Sequence, residues 1–253
     1  MTYGYYFRYF LIIAFLFIAA KSYRNTKKKF ILKVNGFKQL ASYLVTFSLA
    51  CVFLTDLIFA LKGTACPPFA IDLEFPLKNG QFCILHGGSN KIINPHYPVL
   101  AQRYALDIVQ LNTLGSRTSK WNPKKLEDFK IFKTSVYSPC EGTIVEAQDG
   151  YQDLQPSKMD PKNPAGNYIA IAKKDSDIVI ILAHLLKGSI LIQEGDFIEK
   201  GQLLAKVGNS GNTSEPHLHI HSVSNKSGDI LFTGKGVPMK FNSRYLVRND
   251  RIN

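Results

Sequence analysis

Two long apolar runs stand near the start of the chain, ahead of much shorter apolar segments. Residues 3–20 are apolar except for Arg8, and residues 39–61 form a second run whose one charged residue is Asp56. A helix of about 20 apolar residues is long enough to span the hydrocarbon core of a bilayer. The pattern therefore predicts a membrane anchor of two transmembrane helices within residues 1–62.

The segment between the two apolar runs is strongly basic. Short basic loops stay on the cytoplasmic side of a membrane, so this loop is predicted to be cytoplasmic. A cleaved signal peptide is the alternative for the first run, but there the basic residues would precede the apolar stretch. We expect a multi-pass membrane protein whose remaining chain lies on the periplasmic or extracellular side. The basic residues of the loop are Lys21, Arg24, Lys27, Lys28, Lys29, Lys33 and Lys38.

Beyond the apolar runs, short alternating segments separated by turn residues predict a mostly β fold. We expect an antiparallel, barrel-like sandwich over residues 79–225, after an extended linker over 63–78 and before a C-terminal strand or tail over 226–253. The candidate strands are Gln81–His86, Tyr104–Gln110, Gly142–Gln148, Asn167–Ala172, Ile178–His184, Gln202–Val207 and His217–Val223.

Two stretches inside this region lack the strand period. The polar segment 112–133 allows a short helix around Lys124–Phe129. The segment 150–166 contains three prolines without a repeating apolar pattern and is predicted to be a long surface loop.

The net charge of +12 invites a nucleic-acid interpretation, so its distribution matters. Residues 1–62 hold nine of the 31 lysines and arginines and one of the 19 acidic residues. This segment has a net charge of +8, so most of the net charge of +12 belongs to the anchor and not to a binding face. With no helix-turn-helix or zinc-finger pattern in the sequence, we expect no nucleic-acid partner.

The most informative stretch for chemistry is the strand that begins at His217. Alternation places His217, His219 and His221 on one face, while Leu218 and Ile220 point to the core. Two imidazoles at i and i+2 on a rigid strand allow one to bind a metal while its neighbour acts on what the metal activates. The turn-forming run 208–213 delivers the chain into this strand.

Three further polar positions are candidates to join these histidines. Asp107 lies within an otherwise apolar strand, where an unpaired carboxylate would be costly. His184 ends a buried strand, and His96 lies in a proline-stiffened loop before the Asp107 strand. Together with the His-x-His pair they supply what a hydrolytic zinc site needs: three ligands, an open position and acid–base groups.

The order of these motifs resembles the lysostaphin-type (LytM-like) zinc endopeptidases, metallopeptidase family twenty-three. The resemblance implies a peptidoglycan-cleaving β domain of the duplicated hybrid motif type. It also implies that Asp107 and His219 match zinc ligands, and that His184 and His217 match two non-ligand catalytic histidines. The motifs are Asp107, Gly142-Thr-Ile-Val, Gly166-Asn-Tyr-Ile-Ala-Ile, Ala183-His-Leu, Gly195-Asp-Phe-Ile-Glu-Lys-Gly-Gln, Val207-Gly-Asn-Ser-Gly-Asn and Pro216-His-Leu-His.

The chain departs from the family pattern at one position. The usual first zinc ligand is a histidine four residues before the aspartate, and here that position is Arg103. We assign the first ligand to His96, with His86 as the second choice. His221 has no role that the resemblance carries over and is expected to be a surface residue at the strand end.

The sequence thus predicts a membrane-anchored zinc (Zn²⁺) metalloendopeptidase with peptidoglycan, or another peptide, as substrate. Two alternatives stay open: an inactive relative that binds cell wall or activates another hydrolase, and a lipoyl-like carrier module, for which the modifiable lysine is missing. The spacing of Cys51, Cys66, Cys83 and Cys140 matches no zinc finger. A disulfide among the last three is open if the domain is exported. The sequence predicts nothing about the oligomeric state.

Overall fold

The computed structural model of the protein describes residues 7–28, 36–224 and 233–253. Two helices come first, α1 (Phe7–Lys28) and α2 (Gly36–Lys62). The strands that follow are β1 (Ile71–Leu73), β2 (Gln81–His86), β3 (Leu106–Leu111), β4 (Ser135–Tyr137), β5 (Gly142–Gln148), β6 (Asn167–Lys173), β7 (Ile178–Leu185), β8 (Phe197–Ile198), β9 (Leu203–Lys206), β10 (Leu218–Ser224), β11 (Lys235–Gly236), β12 (Met239–Phe241), β13 (Arg244–Tyr245) and β14 (Arg251–Ile252).

Among the described residues, one helical segment is long and apolar enough to cross a membrane. It is Leu40–Lys62 in α2, with a mean hydropathy of 2.3 and no burial against the rest of the chain. The apolar part of α1, Tyr9–Ser22, is shorter than a membrane-spanning helix needs to be. Residues 3–6 of the first predicted span and residues 29–35 of the basic loop lie outside the described residues. One span is thus supported, and the second stays a prediction.

The prediction of a mostly β, antiparallel fold is confirmed. In the described residues, the largest sheet has the strand order β14-β2-β3-β10-β7-β6-β5-β8, with β11 pairing to β10. Every pairing in this sheet is antiparallel. Smaller sheets join β1, β12 and β13, and β4 with β9. All seven candidate strands exist, and the short helix predicted around Lys124–Phe129 is one 3-10 turn, Leu126–Asp128.

The central strands are buried along nearly their whole length. In β7 every residue after Ile178 is buried, and in β6 the first five residues are buried. Both strands are rich in isoleucine, whose branched side chain packs well on a pleated surface. The site described below lies on β3, β10 and the end of β7, so a rigid part of the sheet carries it.

The linker predicted over residues 63–78 needs correction. It contributes strand β1, which pairs in parallel with β12 from the far end of the chain. Leu73, Phe75 and Leu77 are buried in the main hydrophobic cluster. Apolar burial is the main stabilising term in folding, so this part of the segment belongs to the domain and not to a free connection.

The end of α2 contacts the loop that follows β2. The Ser89 hydroxyl donates to the carbonyls of Gly63 and Ala65, both at 3.1 Å. The Asn90 side-chain amide donates to the carbonyl of Phe59. Because the same loop continues towards His96, the helix end and one wall of the candidate site are held together.

Candidate metal centre

Asp107 occupies the centre of the candidate site because its strand lies between two others that carry histidines. In register, Asp107 is opposite His86 on β2 and opposite His219 on β10. Residues directly opposite in an antiparallel pair place their side chains on the same face. His86 Nδ1 lies 2.8 Å from Asp107 Oδ2, and His219 Nδ1 lies 2.8 Å from Asp107 Oδ1.

His96 reaches the same carboxylate from a loop that a buried asparagine fixes. The Nδ2 atom of Asn94 lies 3.0–3.2 Å from three backbone carbonyls of the surrounding chain. Its Oδ1 accepts a hydrogen bond of 3.1 Å from the His96 backbone N–H. His96 Nε2 then lies 2.9 Å from Asp107 Oδ2. The loop folds back far enough to bring His96 against the Asp107 carboxylate.

The remaining two predicted residues, His184 and His217, lie beside each other. Their ring centroids are 4.8 Å apart. His217 Nδ1 lies 2.9 Å from the Glu215 carbonyl and His184 Nδ1 lies 2.9 Å from the Ser210 carbonyl. A carbonyl accepts only, so each Nδ1 carries a proton and each Nε2 is left to exchange one. His217 Nε2 is 3.5 Å from Asp107 Oδ1.

Close backbone packing holds His184 in an unusual conformation. Its φ of +62° lies in the left-handed region, which non-glycine residues rarely occupy. The neighbouring Gly166, at φ +61°, has no room for a side chain, since a Cβ there would lie 2.4 Å from the Ser210 backbone. Strained residues persist where the surrounding structure over-determines them, often at functional sites.

His221 is placed differently from the prediction. It is buried, with 2% of its surface exposed, instead of lying on the surface at the strand end. Its Nδ1 lies 3.0 Å from His219 Nε2. The alternation along the strand predicts the correct face for His221. Its burial arises because other segments of the chain pack over that face.

Each of the six histidines of the chain therefore lies next to the Asp107 carboxylate or next to another histidine that contacts this carboxylate. Four of them have predicted roles in the site, and His86 has a secondary one. What the sequence did not show is the register that places His86 against Asp107. The members of the cluster are His86, His96, His184, His217, His219 and His221.

The electrostatics of the cluster favour an ionised carboxylate among mostly neutral rings. Burial would raise the pKa of Asp107, but its interactions with His217, His219 and His86 outweigh this and lower the pKa well below the usual value. Burial lowers the pKa of His184 well below the usual value, and the nearby His217 and His219 add to the effect. Burial also lowers the pKa of His219. For His217 the attraction of Asp107 overcomes burial, so its pKa is raised.

Arg103, at the position of the usual first ligand, points to a different role. Its guanidinium lies 5.0 Å from the centroid of the Tyr97 ring, and its Nε donates to the Tyr97 carbonyl at 3.4 Å. Within the described part of the chain, the ion-pair partners of Asp107 are four histidines and not Arg103. An ion pair between Arg103 and Asp107, which would explain the buried carboxylate without a metal, is therefore not formed.

The donor atoms fit a zinc ion. Two imidazole nitrogens and one carboxylate converge from His96, His219 and Asp107, and nitrogen and oxygen donors of this kind are those zinc prefers. Potential ligand atoms lie within 4.8 Å of one another both in the group of His86, His96 and Asp107 and in the group of His184, His217 and His219.

A cavity of about 180 Å³ opens beside the cluster. Four of the histidines line it, and two neutral amides, Gln102 and Asn212, supply the other polar side chains of the wall. The rest of the wall is small and apolar. The lining residues are His96, Gln102, Pro164, Ala165, Ala183, His184, Asn212, His219 and His221.

Comparison with known proteins gives a family match. Residues 124–229 match the model described as Peptidase family M23. An uncharacterized metalloprotease of Buchnera aphidicola is 30% identical over 146 residues, which cover 57% of this chain and 35% of the relative. Peptidoglycan DD-endopeptidase ShyA of Vibrio cholerae is 27% identical over 148 residues, 58% of this chain and 31% of that protein. The chain spans about a third of the length of these curated relatives.

Among solved structures, the chain is similar to the catalytic domain of lysostaphin from Staphylococcus simulans. The identity is 21%, the match covers 45% of this chain and 80% of that one, and the TM-score is 0.31. The family match covers His184, His217, His219 and His221, whereas Asp107 and His96 precede it. The family model thus supports an M23-type peptidase domain in the segment that carries the His-x-His strand.

Proposed function

We propose that the chain is a zinc metalloendopeptidase anchored in a membrane. One observation carries the proposal: His96 Nε2 and His219 Nδ1 lie at 2.9 and 2.8 Å from the two different oxygens of the buried Asp107 carboxylate. The pair His184 and His217 lies next to them, and each ring contacts a backbone carbonyl through Nδ1, which leaves Nε2 for proton transfer. Three ligands with adjacent acid–base groups is the composition of a hydrolytic zinc site.

In this proposal His96, Asp107 and His219 hold the metal. A bound zinc supplies a Lewis acid that polarises the scissile carbonyl and lowers the pKa of a water molecule to about 7. The protein contributes a fixed donor set, because the hydrogen bonds of Asn94 hold His96 and the sheet register holds the other two ligands. Catalytic zinc sites keep a position open for substrate, which three protein ligands leave.

His217 and His184 are the proposed proton carriers. Their Nδ1 atoms donate to backbone carbonyls, so each ring takes up a proton at Nε2 and returns it from the same atom. A neutral ring accepts the proton of the attacking water, and a protonated ring donates to the charge that develops on the substrate oxygen. The 4.8 Å between the rings lets both serve one peptide bond.

The proposed substrate is a peptide bond of peptidoglycan on the outer side of the membrane. The similarity to a relative named as a peptidoglycan endopeptidase supports it. The amides of Gln102 and Asn212 in the cavity wall suit the hydrogen-bonding groups of a peptide backbone. The apolar segment of α2 supports membrane attachment, and the two-span, multi-pass arrangement belongs to the same proposal.

The test uses the full chain purified in detergent. We expect about one zinc per chain by elemental analysis and release of soluble muropeptides from isolated cell wall. Removal of the metal by a chelator should stop the release, and added zinc should restore it. A chain that holds zinc but cuts neither cell wall nor a model peptide would favour the non-catalytic alternative. A chain without zinc would overturn the proposal.

A further inference from the structure

His221 and His86 are the two histidines of the cluster to which the proposed chemistry gives no task, and His221 is the more deeply buried of the two. It lies on β10 two residues after His219, and both side chains are buried. His221 Nδ1 is 3.0 Å from His219 Nε2, and the ring centroids are 5.1 Å apart. Residues i and i+2 on a strand share a face, so this contact is built into the backbone.

Binding of a metal at Nδ1 of His219 would give the hydrogen bond between the two histidines a definite direction. His219 directs Nδ1 towards Asp107, at 2.8 Å from Oδ1, which is the atom proposed to bind the metal. A neutral imidazole that uses the Nδ1 lone pair for a ligand bond carries its proton on Nε2. With the metal bound, that proton would be donated to Nδ1 of His221, and the proton of His221 would then be on its own Nε2.

The Nε2 atom of His221 is expected to lower the stability of the folded protein. Among the described residues, its Nε2 is buried and has no hydrogen-bond partner. A buried donor without a partner is destabilising, and an apolar residue of similar size would avoid that loss. A histidine at this position therefore needs a gain elsewhere, and the hydrogen bond to His219 is the gain that the structure offers.

We propose that His221 is a positioning residue that holds His219 in the tautomer and ring orientation needed to bind the metal. The assignment rests on the proposed function, since it assumes that His219 is a zinc ligand. Partners that accept the second N–H of a metal-bound histidine fix its tautomer and raise its basicity. Here the partner is a second imidazole on the same strand instead of a carboxylate or a carbonyl.

Asparagine and leucine provide a matched pair of substitutions. Both leave the same void where the outer part of the ring was, and both remove the unpartnered Nε2. Only His221→Asn keeps an acceptor atom, Oδ1, at the position of Nδ1. We expect His221→Leu to weaken zinc binding about 10- to 100-fold, the usual effect of losing such a partner, and His221→Asn to stay much closer to the wild type.

The measurement is the zinc dissociation constant of the full chain in detergent, obtained by competition with a chelating dye. The melting temperature of the metal-free chain is recorded alongside. Ile220→Val is the control for general loosening, because Ile220 is fully buried on the opposite face of the same strand. It should lower the melting temperature of the metal-free chain and leave zinc affinity unchanged.

Equal zinc affinities for His221→Leu and His221→Asn would overturn the assignment, because only asparagine keeps an acceptor for the N–H of His219. A loss of zinc affinity in Ile220→Val as large as in His221→Leu would also overturn it. These outcomes leave the proposed function intact as long as the wild-type chain binds zinc. A wild-type chain that takes up no zinc would overturn the proposed function, and this assignment with it.

Discussion

His184, His217 and His219 differ in which ring nitrogen contacts a protein partner other than Asp107. In His184 and His217 the occupied atom is Nδ1, which donates to a backbone carbonyl. In His219 it is Nε2, which faces another histidine, while Nδ1 faces the carboxylate. This difference is what the proposed roles require, with the first two rings as proton carriers and the third as a metal ligand.

The first prediction compares the two histidines of the His-x-His pair. We expect His219→Ala to lose zinc and activity together, because a ligand is removed. We expect His217→Ala to keep zinc and to lose about 10²- to 10⁴-fold in rate, the typical contribution of a general acid–base group. Elemental analysis and muropeptide release measured on the same preparations distinguish the two. If both variants kept zinc and full activity, the strand face would have no part in the mechanism.

The second prediction concerns the first ligand. His96→Ala should weaken zinc binding by more than about 100-fold, a larger effect than losing a partner of a ligand. Arg103→Ala should leave zinc bound, because Arg103 contacts Tyr97 and not the carboxylate. Zinc titration of both variants is the measurement.

His86→Ala is the informative third variant in that titration. His86 Nδ1 is as close to Asp107 Oδ2 as His96 Nε2 is, at 2.8 and 2.9 Å. The proposal expects a smaller loss of affinity for His86→Ala than for His96→Ala. The reverse order would make His86 the first ligand and would contradict the assignment of His96.

Local sequence features were enough to find most of the candidate site. The apolar surroundings of Asp107 and the alternation after His217 mark side chains that need partners. The approach of His86 could not be predicted, because it depends on a bulge in the pairing of β2 with β3, between Ile84 and His86. The burial of His221 depends on distant segments that cover the strand, and no local pattern encodes them.

Two backbone segments next to the site pack directly against each other, with no side chain between them. Gly166 follows the long loop before β6, and Gly211 lies in the turn before β10. A Cβ on Gly211 would come within 2.5 Å of the Gly166 nitrogen, and both glycines have positive φ. The carbonyl of Ser210, which accepts the hydrogen bond from His184, lies in this contact.

The third prediction uses this contact. Gly166→Ala should destabilise the protein by about 1–3 kcal/mol through overpacking, in addition to about 1–2 kcal/mol for the left-handed backbone. It should also lower the rate while zinc stays bound, because the displaced Ser210 carbonyl no longer orients His184. Thermal unfolding, zinc content and muropeptide release are the readouts.

Gly188→Ala is the matched control for backbone strain. Gly188 has φ +70°, close to the +61° of Gly166, but a Cβ there would meet nothing within 4 Å. The Gly188→Ala variant should lose only the stability that the left-handed backbone costs, and it should keep full activity. Equal losses of stability and activity in the two variants would mean that the contact with Ser210 has no special role.

Long strands were predicted well from sequence, whereas short ones were not. The seven predicted strands have a sustained apolar period, and their ends agree with the structure within a few residues. Strand β1 has three residues, and it exists because it pairs with β12, which comes from residues 239–241. A pairing between such distant segments is decided by tertiary packing, so a three-residue pattern cannot reveal it.

The predicted membrane anchor and the candidate site meet at the loop that follows β2. The end of α2 is hydrogen-bonded to Ser89 and Asn90, and the same loop continues to His96. If α2 spans the membrane, the candidate site is held near the bilayer surface. The positive-inside rule then determines on which side, since the basic residues cluster before α2.

The four cysteines, all within the described residues and all free thiols, provide a native probe of this orientation. Cys51 lies in the apolar segment of α2, while Cys66 is exposed just after the helix ends. Cys83 and Cys140 are buried, and burial raises the pKa of the Cys140 thiol to about 11. The thiolate is the reactive form, so Cys140 should react slowly at neutral pH.

The fourth prediction is that a membrane-impermeant maleimide labels intact cells expressing the full chain, and that Cys66→Ser removes the label. A thiol introduced into the basic segment, Lys27→Cys in a Cys66→Ser background, should be labelled only after the membrane is permeabilised. Both results follow if the chain after residue 62 lies outside and the basic loop lies in the cytoplasm. Labelling of Cys66 that requires permeabilisation would place the catalytic residues in the cytoplasm, where no peptidoglycan could reach them.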